Sequence, residues 1–372
     1  MNHRLRTTLI TWLVVYPMIT GLLALLEPFV TSWPMPLRTL LLTALMVPLM
    51  VLWAAPSQRS IQSLPESRHQ QLHAITNTQQ LEKIMTQTFS QHFAPHLGLM
   101  SPDEGMFRTH AGDDPVDQIH FMADEGFTAI EDNFMAARSI ETQEAIGKAL
   151  RERDMRMGVI VNTMVYDRPS FVLNNKDERA RLIEEVRSTA KIARRVGATH
   201  VTTLSGTAHP DLPRDYQTAN MIENLKWVGD VAAEEGLVLA LEPINHKGWP
   251  GTFMTEVAHA YQISKAVGLP SVKVLYDFWH QQIHAGDLLD NLELAWDEIA
   301  YFQVADNPGR VEPGAGEINY KTILRRIAEK GFDGIIGMEF GPSKPGLEGE
   351  QSMLQAMRDI DPRLPRTVKE AA

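Results

Sequence analysis

The chain has 372 residues, no cysteine, and 46 Asp plus Glu against 35 Lys plus Arg, for a formal net charge of −11. The lack of cysteine excludes a disulfide framework and thiolate chemistry without distinguishing compartments, and the acidic balance disfavours a nucleic-acid partner, because phosphate binding needs a basic surface. The length exceeds one ordinary domain but suits a barrel of roughly 250 residues carrying a short extra module.

That module is expected at the N-terminus. Residues 7–26 run for 20 positions without a charge, and residues 39–55 add 17 more. Both meet the roughly 17–25 apolar residues needed to cross a bilayer. A cleaved signal peptide is the competing reading for the first run, which is longer than the usual ~7–15 apolar residues; a buried pair of soluble helices is the other. The segment 31–36 is short and holds Pro34 and Pro36, so the two helices are expected to lie antiparallel. His3, Arg4 and Arg6 precede the first run, Arg59 and Arg68 follow the second, and Arg38 lies near the loop. Positive charge then puts both ends, and whatever follows them, on the cytoplasmic side. Residues 1–60 are read as a transmembrane hairpin, and 61–91, rich in Gln, Ser and Thr, as a polar linker.

From Phe93 onward, short apolar runs alternate with amphipathic stretches, as in a parallel sheet covered by helices. Strands are expected near residues 95–100, 128–134, 156–163, 200–204, 238–245, 272–278, 300–305 and 334–340. Between them, residues 177–196 place Leu182, Ile183, Val186, Ala190, Ile192 and Ala193 at close to the helical period, and Gly197 ends the run. Gly126 and Gly236 occupy the same position before a strand, as a left-handed helix cap requires. Eight such units without a Gly-x-Gly-x-x-Gly turn predict a (β/α)8 barrel over 92–361, leaving 362–372 as a tail.

The chemistry gathers in the C-terminal half. Apolar runs at 237–242, 272–277, 300–303 and 335–339 each end in an oxygen ligand: Glu242, Asp277, Gln303 and Glu339, spaced 35, 26 and 36 residues apart. In a barrel the C-terminal strand ends converge on one mouth, so these four can share one ion. Carboxylate and amide oxygens suit a hard divalent cation, Mg2+ or Mn2+. Glu242 and Glu339, costly to desolvate unpaired, are the candidate acid and base; a structural Arg partner or a helix-capping role is the alternative. His280, in Asp-x-x-His after a strand, is placed to hydrogen-bond a substrate oxygen, whereas His246 and His284 read as surface or supporting residues. Arg310, in a Gly/Pro-rich loop, can clamp a substrate carboxylate or form a rim salt bridge with Glu312. Glu317 reads as organising that loop, and Trp249, Phe253 and Trp279 as pocket wall or core.

The strings Leu241-Glu242-Pro243-Ile244-Asn245, Tyr276-Asp277-Phe278-Trp279-His280-Gln281-Gln282, the loop from Gln303 through Arg310 to Gly316-Glu317-Ile318-Asn319-Tyr320, and Gly337-Met338-Glu339 closely resemble the hydroxypyruvate isomerase family of xylose isomerase-like TIM barrels, over about residues 92–361. The resemblance implies acid/base roles for Glu242 and Glu339, metal positions at Glu242, Asp277, Gln303 and Glu339, and substrate contacts at His280 and Arg310. It implies interconversion of hydroxypyruvate and tartronate semialdehyde, or isomerisation of a related 2-oxo or sugar acid, with the metal requirement differing among members. A sugar epimerase of the same fold and a membrane-tethered, non-catalytic sugar-acid binder remain the alternatives; an endonuclease-type barrel would need more histidine ligands and a basic face. The N-terminal strings Thr11-Trp12-Leu13, Pro36 to Thr43 and Val47 to Met50 look like the membrane hairpin that follows antibiotic-biosynthesis-monooxygenase-like domains, a departure from typical soluble members. Expected partners are a small acid substrate and the membrane, with homo-oligomerisation left open.

Overall fold

The computed structural model describes residues 88–163 and 168–363. The expected hairpin at 1–60, all but the last residues of the linker, and nearly all of the expected tail fall outside them. Among the described residues, no helix is long and apolar enough to cross a membrane.

Eight parallel strands form one sheet: β1 (His92–Pro95), β2 (Ala129–Asp132), β3 (Arg156–Thr163), β4 (His200–Thr203), β5 (Val238–Leu241), β6 (Val272–Asp277), β7 (Ile299–Val304) and β8 (Ile335–Met338). Their order, β1-β8-β7-β6-β5-β4-β3-β2, leaves β1 and β2 as the two ends. A parallel bridge from His96 to Glu131 joins those ends, and the Leu97 N–H donates to the Glu131 carbonyl at 2.9 Å. The sheet is therefore a closed (β/α)8 barrel, as expected.

The helices among the described residues are α1 (Arg108–Ala111), α2 (Pro115–Asp124), α3 (Ile140–Glu152), α4 (Lys176–Val196), α5 (Arg214–Glu234), α6 (Val257–Val267), α7 (Phe278–His284), α8 (Leu288–Ala295), α9 (Tyr320–Glu329) and α10 (Gly346–Ile360). The sequence grammar explains α4. Asn175 caps it by accepting from the Glu178 N–H at 2.8 Å, Leu182, Val186, Ala190 and Ala193 are buried, and Gly197 closes it at φ 79°. Small and branched side chains with one tyrosine, from seven strands (Ala94, Ala129, Val159, Ala240, Leu275, Tyr301 and Ile335), form an inner cluster of their own, apart from the larger core shared with the helices.

Two expectations change. The first strand is His92–Pro95 rather than residues 95–100. Leu97 is buried in the core, which gives the later segment its strand-like apolarity, but the chain folds back so closely that a Cβ on Gly98 would sit 2.9 Å from the Ser101 carbonyl. The second, fifth and eighth strands also end sooner than expected, at Asp132, Leu241 and Met338. The residues after them leave the ladder to build the barrel mouth.

Candidate active site

Glu242 and Glu339 stand one residue beyond β5 and β8. Each is fixed by a last backbone bond to a neighbouring strand: Glu242 N–H to Thr203 O at 3.2 Å and Glu339 N–H to Val304 O at 3.1 Å. Asp277 ends β6 and caps α7, its Oδ1 accepting from the N–H groups of Trp279 at 2.7 Å and His280 at 3.3 Å. Gln303 lies beside it in register on β7. The ligand atoms of Glu242, Asp277, His280 and Glu339 all lie within 4.8 Å of one another, and all four residues are buried.

His280 belongs to this cluster as a donor rather than a ligand. Its Nδ1 accepts the Asn245 backbone N–H at 2.8 Å and lies 2.8 Å from the Asn245 side-chain amide nitrogen. The neutral ring must then carry its proton on Nε2, which lies 3.5 Å from Glu242 Oε1 and 3.7 Å from Asp277 Oδ2. Burial, aided by the Arg310 charge, holds His280 well below its ordinary pKa. An N–H aimed at the centre can serve a substrate oxygen but offers no lone pair to an ion.

Glu339 is the better-supported carboxylate. One oxygen accepts from Asn133 Nδ2 at 2.6 Å, and the other pairs with Arg310 Nη2 at 2.5 Å. Arg310 Nε also reaches the Glu339 carbonyl at 3.1 Å, while its guanidinium carbon stands 4.6 Å from the centre of the Trp279 ring. The rim pairing of Arg310 with Glu312 is therefore corrected. Glu312 is buried and accepts from the Ser343 N–H at 2.8 Å and hydroxyl at 2.5 Å.

Other expectations sort cleanly. Glu317 organises the loop as expected, accepting from Asn307 at 2.7 Å and Gln282 at 3.1 Å. The His246 and His284 rings approach to 3.2 Å and His284 also meets Glu256; neither histidine belongs to the cluster of Glu242, Asp277, His280 and Glu339. Trp249 lines the pocket with Glu242 and Arg310, whereas Phe253 is fully buried in the core. Three contributors were missed. Asn133 follows Glu131 and Asp132 at the end of β2, a polar strand end like the four that were singled out. Asp306 pins the Arg310 loop by accepting from the N–H groups of Asn307, Gly314, Gly316 and Ile318 at 2.7–3.0 Å. Glu131, fully buried, accepts the Tyr301 hydroxyl at 2.9 Å and the Gln303 amide nitrogen at 3.5 Å.

Crowding of buried carboxyls dominates the electrostatics. Burial first, then the charges of Glu339 and Asp277, push Glu242 well above the usual carboxylate range. Burial and Glu339 raise Asp277 to about 8, against the opposing pull of Arg310 and two N–H donors. Glu131 is raised by burial and by Glu339. Within the expected ligand set two buried oxygens, Asp277 Oδ2 and Gln303 Oε1, have no hydrogen-bond partner among the described residues. A hard divalent cation fits this set: it would use both orphaned oxygens and offset the carboxylate repulsion.

The sign of the pH effect follows. Asp277 in the metal-free fold holds its proton more tightly than in the unfolded chain, so its contribution to stability is greatest at low pH and is lost as pH rises through about 8. An ion must displace that proton. Mn2+ affinity, measured by calorimetry, is expected to rise from pH 6 to about pH 8 as Asp277 gives up its proton. A flat profile would mean that the ion displaces no proton from Asp277 in this range.

The mouth holds a cavity of about 130 Å3 bounded by Asn133, Thr202, Glu242, His280, Arg310 and Glu339 among others. A larger cavity of about 510 Å3 opens beside His96 and Phe340 and contains none of the four expected ligands. The smaller one is where the chemistry converges.

A family model described as a xylose isomerase-like TIM barrel matches residues 119–360, and one described as the Y2318 C-terminal domain matches residues 2–60. The hydroxypyruvate isomerase of Escherichia coli (strain K12) is 32% identical over 157 residues, 42% of this chain and 61% of that protein. A 2-oxo-tetronate isomerase of Cupriavidus necator is 33% identical over 147 residues, 40% of this chain and 56% of that protein. The chain thus spans less than two thirds of either relative's length. Among solved structures, an AP endonuclease, family 2, from Brucella melitensis superposes with a TM-score of 0.59 at 24% identity, covering 70% of this chain and 96% of that one; at that identity the likeness speaks to fold alone.

Proposed function

The chain belongs to the xylose isomerase-like TIM barrel family, and from that premise we propose that it is an isomerase moving a proton between adjacent carbons of a small 2-oxo acid, hydroxypyruvate or a close relative such as 2-oxo-tetronate. The observation that carries this reading is the pairing of Glu242 and Glu339 in one buried cluster with unlike surroundings. Glu242 sits beside the neutral His280 imidazole, and burial with the charges of Glu339 and Asp277 raises its proton affinity above the usual carboxylate range. Glu339 is held by Arg310 and Asn133.

In this mechanism one glutamate removes the carbon-bound proton to give an enediolate, the other returns a proton at the neighbouring carbon, and the hydroxyl proton passes from the oxygen that becomes the carbonyl to the one that becomes the hydroxyl. His280 Nε2–H donates to a substrate oxygen as charge develops there. Arg310 fixes Glu339 and offers Nη1, whose contact is the Met100 sulfur at 3.6 Å, to the substrate carboxylate. A Mg2+ or Mn2+ ion held by Glu242, Asp277, Gln303 and Glu339 would add electrostatic stabilisation of the developing negative charge.

Proton exchange tests the reading. Protein supplied with Mg2+ and hydroxypyruvate in deuterated water is expected to place deuterium on the carbon next to the ketone, followed by NMR. Exchange confined to a neutral ketose would favour an epimerase, and binding without exchange would favour a sensor.

We also propose that residues 1–60 anchor the protein in the membrane with the barrel on the cytoplasmic side. The two uncharged runs and the flanking arginines support it. Recovery of the full-length protein in the soluble fraction after carbonate washing would count against it.

A further inference from the structure

Thr202 is the polar residue of the pocket that the mechanism leaves without a task. It is 3% exposed, and its hydroxyl has no hydrogen-bond partner among the described residues. Its neighbour Thr203 differs, donating to the Val201 carbonyl at 3.4 Å. A buried hydroxyl left unmatched is costly, and such groups are normally explained by water or a ligand.

The position of Thr202 decides what could meet it. On β4 it lies in register with Val161 of β3 and Ala240 of β5, and Ala240 belongs to the inner cluster of the barrel. Glu242 follows Ala240 by two residues, so Thr202 lies about one layer beneath the carboxylates, on the pocket floor. It lines the same cavity as Glu242, His280, Arg310 and Glu339. At its own level the floor is apolar, with Val161 and Ala240 in register beside it, and Leu204 and Ile244 continue the apolar wall of the same cavity above it.

This separation of polar groups matches a division within the substrate. In the proposed mechanism the carboxylates, His280 and Arg310 serve the acid end and the two oxygens that interchange carbonyl and hydroxyl character. A three-carbon 2-oxo acid has nothing left over. A four-carbon acid carries one more hydroxymethyl arm, whose CH2 suits the apolar floor and whose hydroxyl needs one partner. Resting on the isomerase reading above, we propose that Thr202 is a specificity-determining residue that hydrogen-bonds the hydroxyl of a substrate arm beyond the reacting carbons, so that the pocket favours four-carbon 2-oxo acids over three-carbon ones.

The experiment uses the full-length protein with Mg2+ and compares kcat/KM on 2-oxo-tetronate and hydroxypyruvate for the wild type, Thr202→Val and Thr202→Ser. Valine keeps the shape and removes the hydroxyl. The wild type is expected to prefer the four-carbon acid, and Thr202→Val to reduce that preference by roughly 10-fold to 100-fold, the usual effect of unpairing a buried hydrogen-bonding group. The loss should fall mainly in KM, and Thr202→Ser should restore most of the preference. An equal effect on both acids would mean that Thr202 meets a group they share or only supports the fold. No effect on either would mean that it binds a water molecule. Either result overturns the proposal while leaving the isomerase reading intact. A wild type inert toward both acids would instead remove the isomerase reading and this proposal together.

Discussion

Glu242→Gln and Glu339→Gln should each lower kcat for isomerisation by roughly 10²–10⁴-fold, because an amide cannot exchange protons at neutral pH and this is the usual reach of a positioned acid or base. The two variants should part company in stability. Glu242 has its pKa raised chiefly by burial, so a neutral amide of the same shape removes a charge that the metal-free fold bears poorly, and its melting temperature should hold or rise. Glu339 pairs with Arg310, so its amide takes away the ion-pair partner of a largely buried guanidinium and should cost on the order of 1–3 kcal/mol. Kinetics and thermal denaturation on both variants separate the roles. Near-normal turnover in either variant would defeat the two-glutamate mechanism.

Asp277→Asn should weaken Mn2+ binding by more than the roughly 10–100-fold typical of losing a residue that merely supports a ligand. Asparagine is also a good helix cap, so α7 should keep its start and a loss of affinity would not reflect a lost helix. Glu144→Gln, an exposed acidic position on α3, removes the same charge from a distant surface and should leave affinity within about two-fold. Calorimetry on the pair is decisive. Wild-type affinity in Asp277→Asn would take that carboxylate out of the ligand set.

What the sequence disclosed depended on how local the signal was. The strand-end positions of Glu242, Asp277, Gln303 and Glu339 were legible because each ends an apolar run, and a barrel converts a spacing of about one βα unit into convergence at one mouth. The partner of Arg310 was not legible. Glu312 lies two residues away in sequence, but the barrel brings Glu339, 29 residues away, into reach. Asn133 and Glu131 contribute from β2, where nothing local announces that β7 and β8 lie across the barrel interior. Phe253 shows the limit for aromatic residues, since a ring near a site in sequence can equally fill the core. The first strand was misplaced for a related reason: burial of Leu97 imitates a strand when only composition is read.

Glu131 links two parts of the molecule usually considered apart. Its backbone bridges His96 and accepts the Leu97 N–H where β1 and β2 complete the ring. Its side chain fills space left by Gly337, where a Cβ would lie 2.1 Å from Glu131 Oε2, and holds the Gln303 amide by its nitrogen so that the oxygen is left for an ion. An ion that binds only the closed ring draws the equilibrium toward closure by mass action. Transient gaping of the β1–β2 seam, the kind of local breathing that lets an amide trade its proton with water, should therefore become rarer as the ion site fills. The Leu97 amide, far from any carboxylate ligand in sequence, would register the ion's arrival.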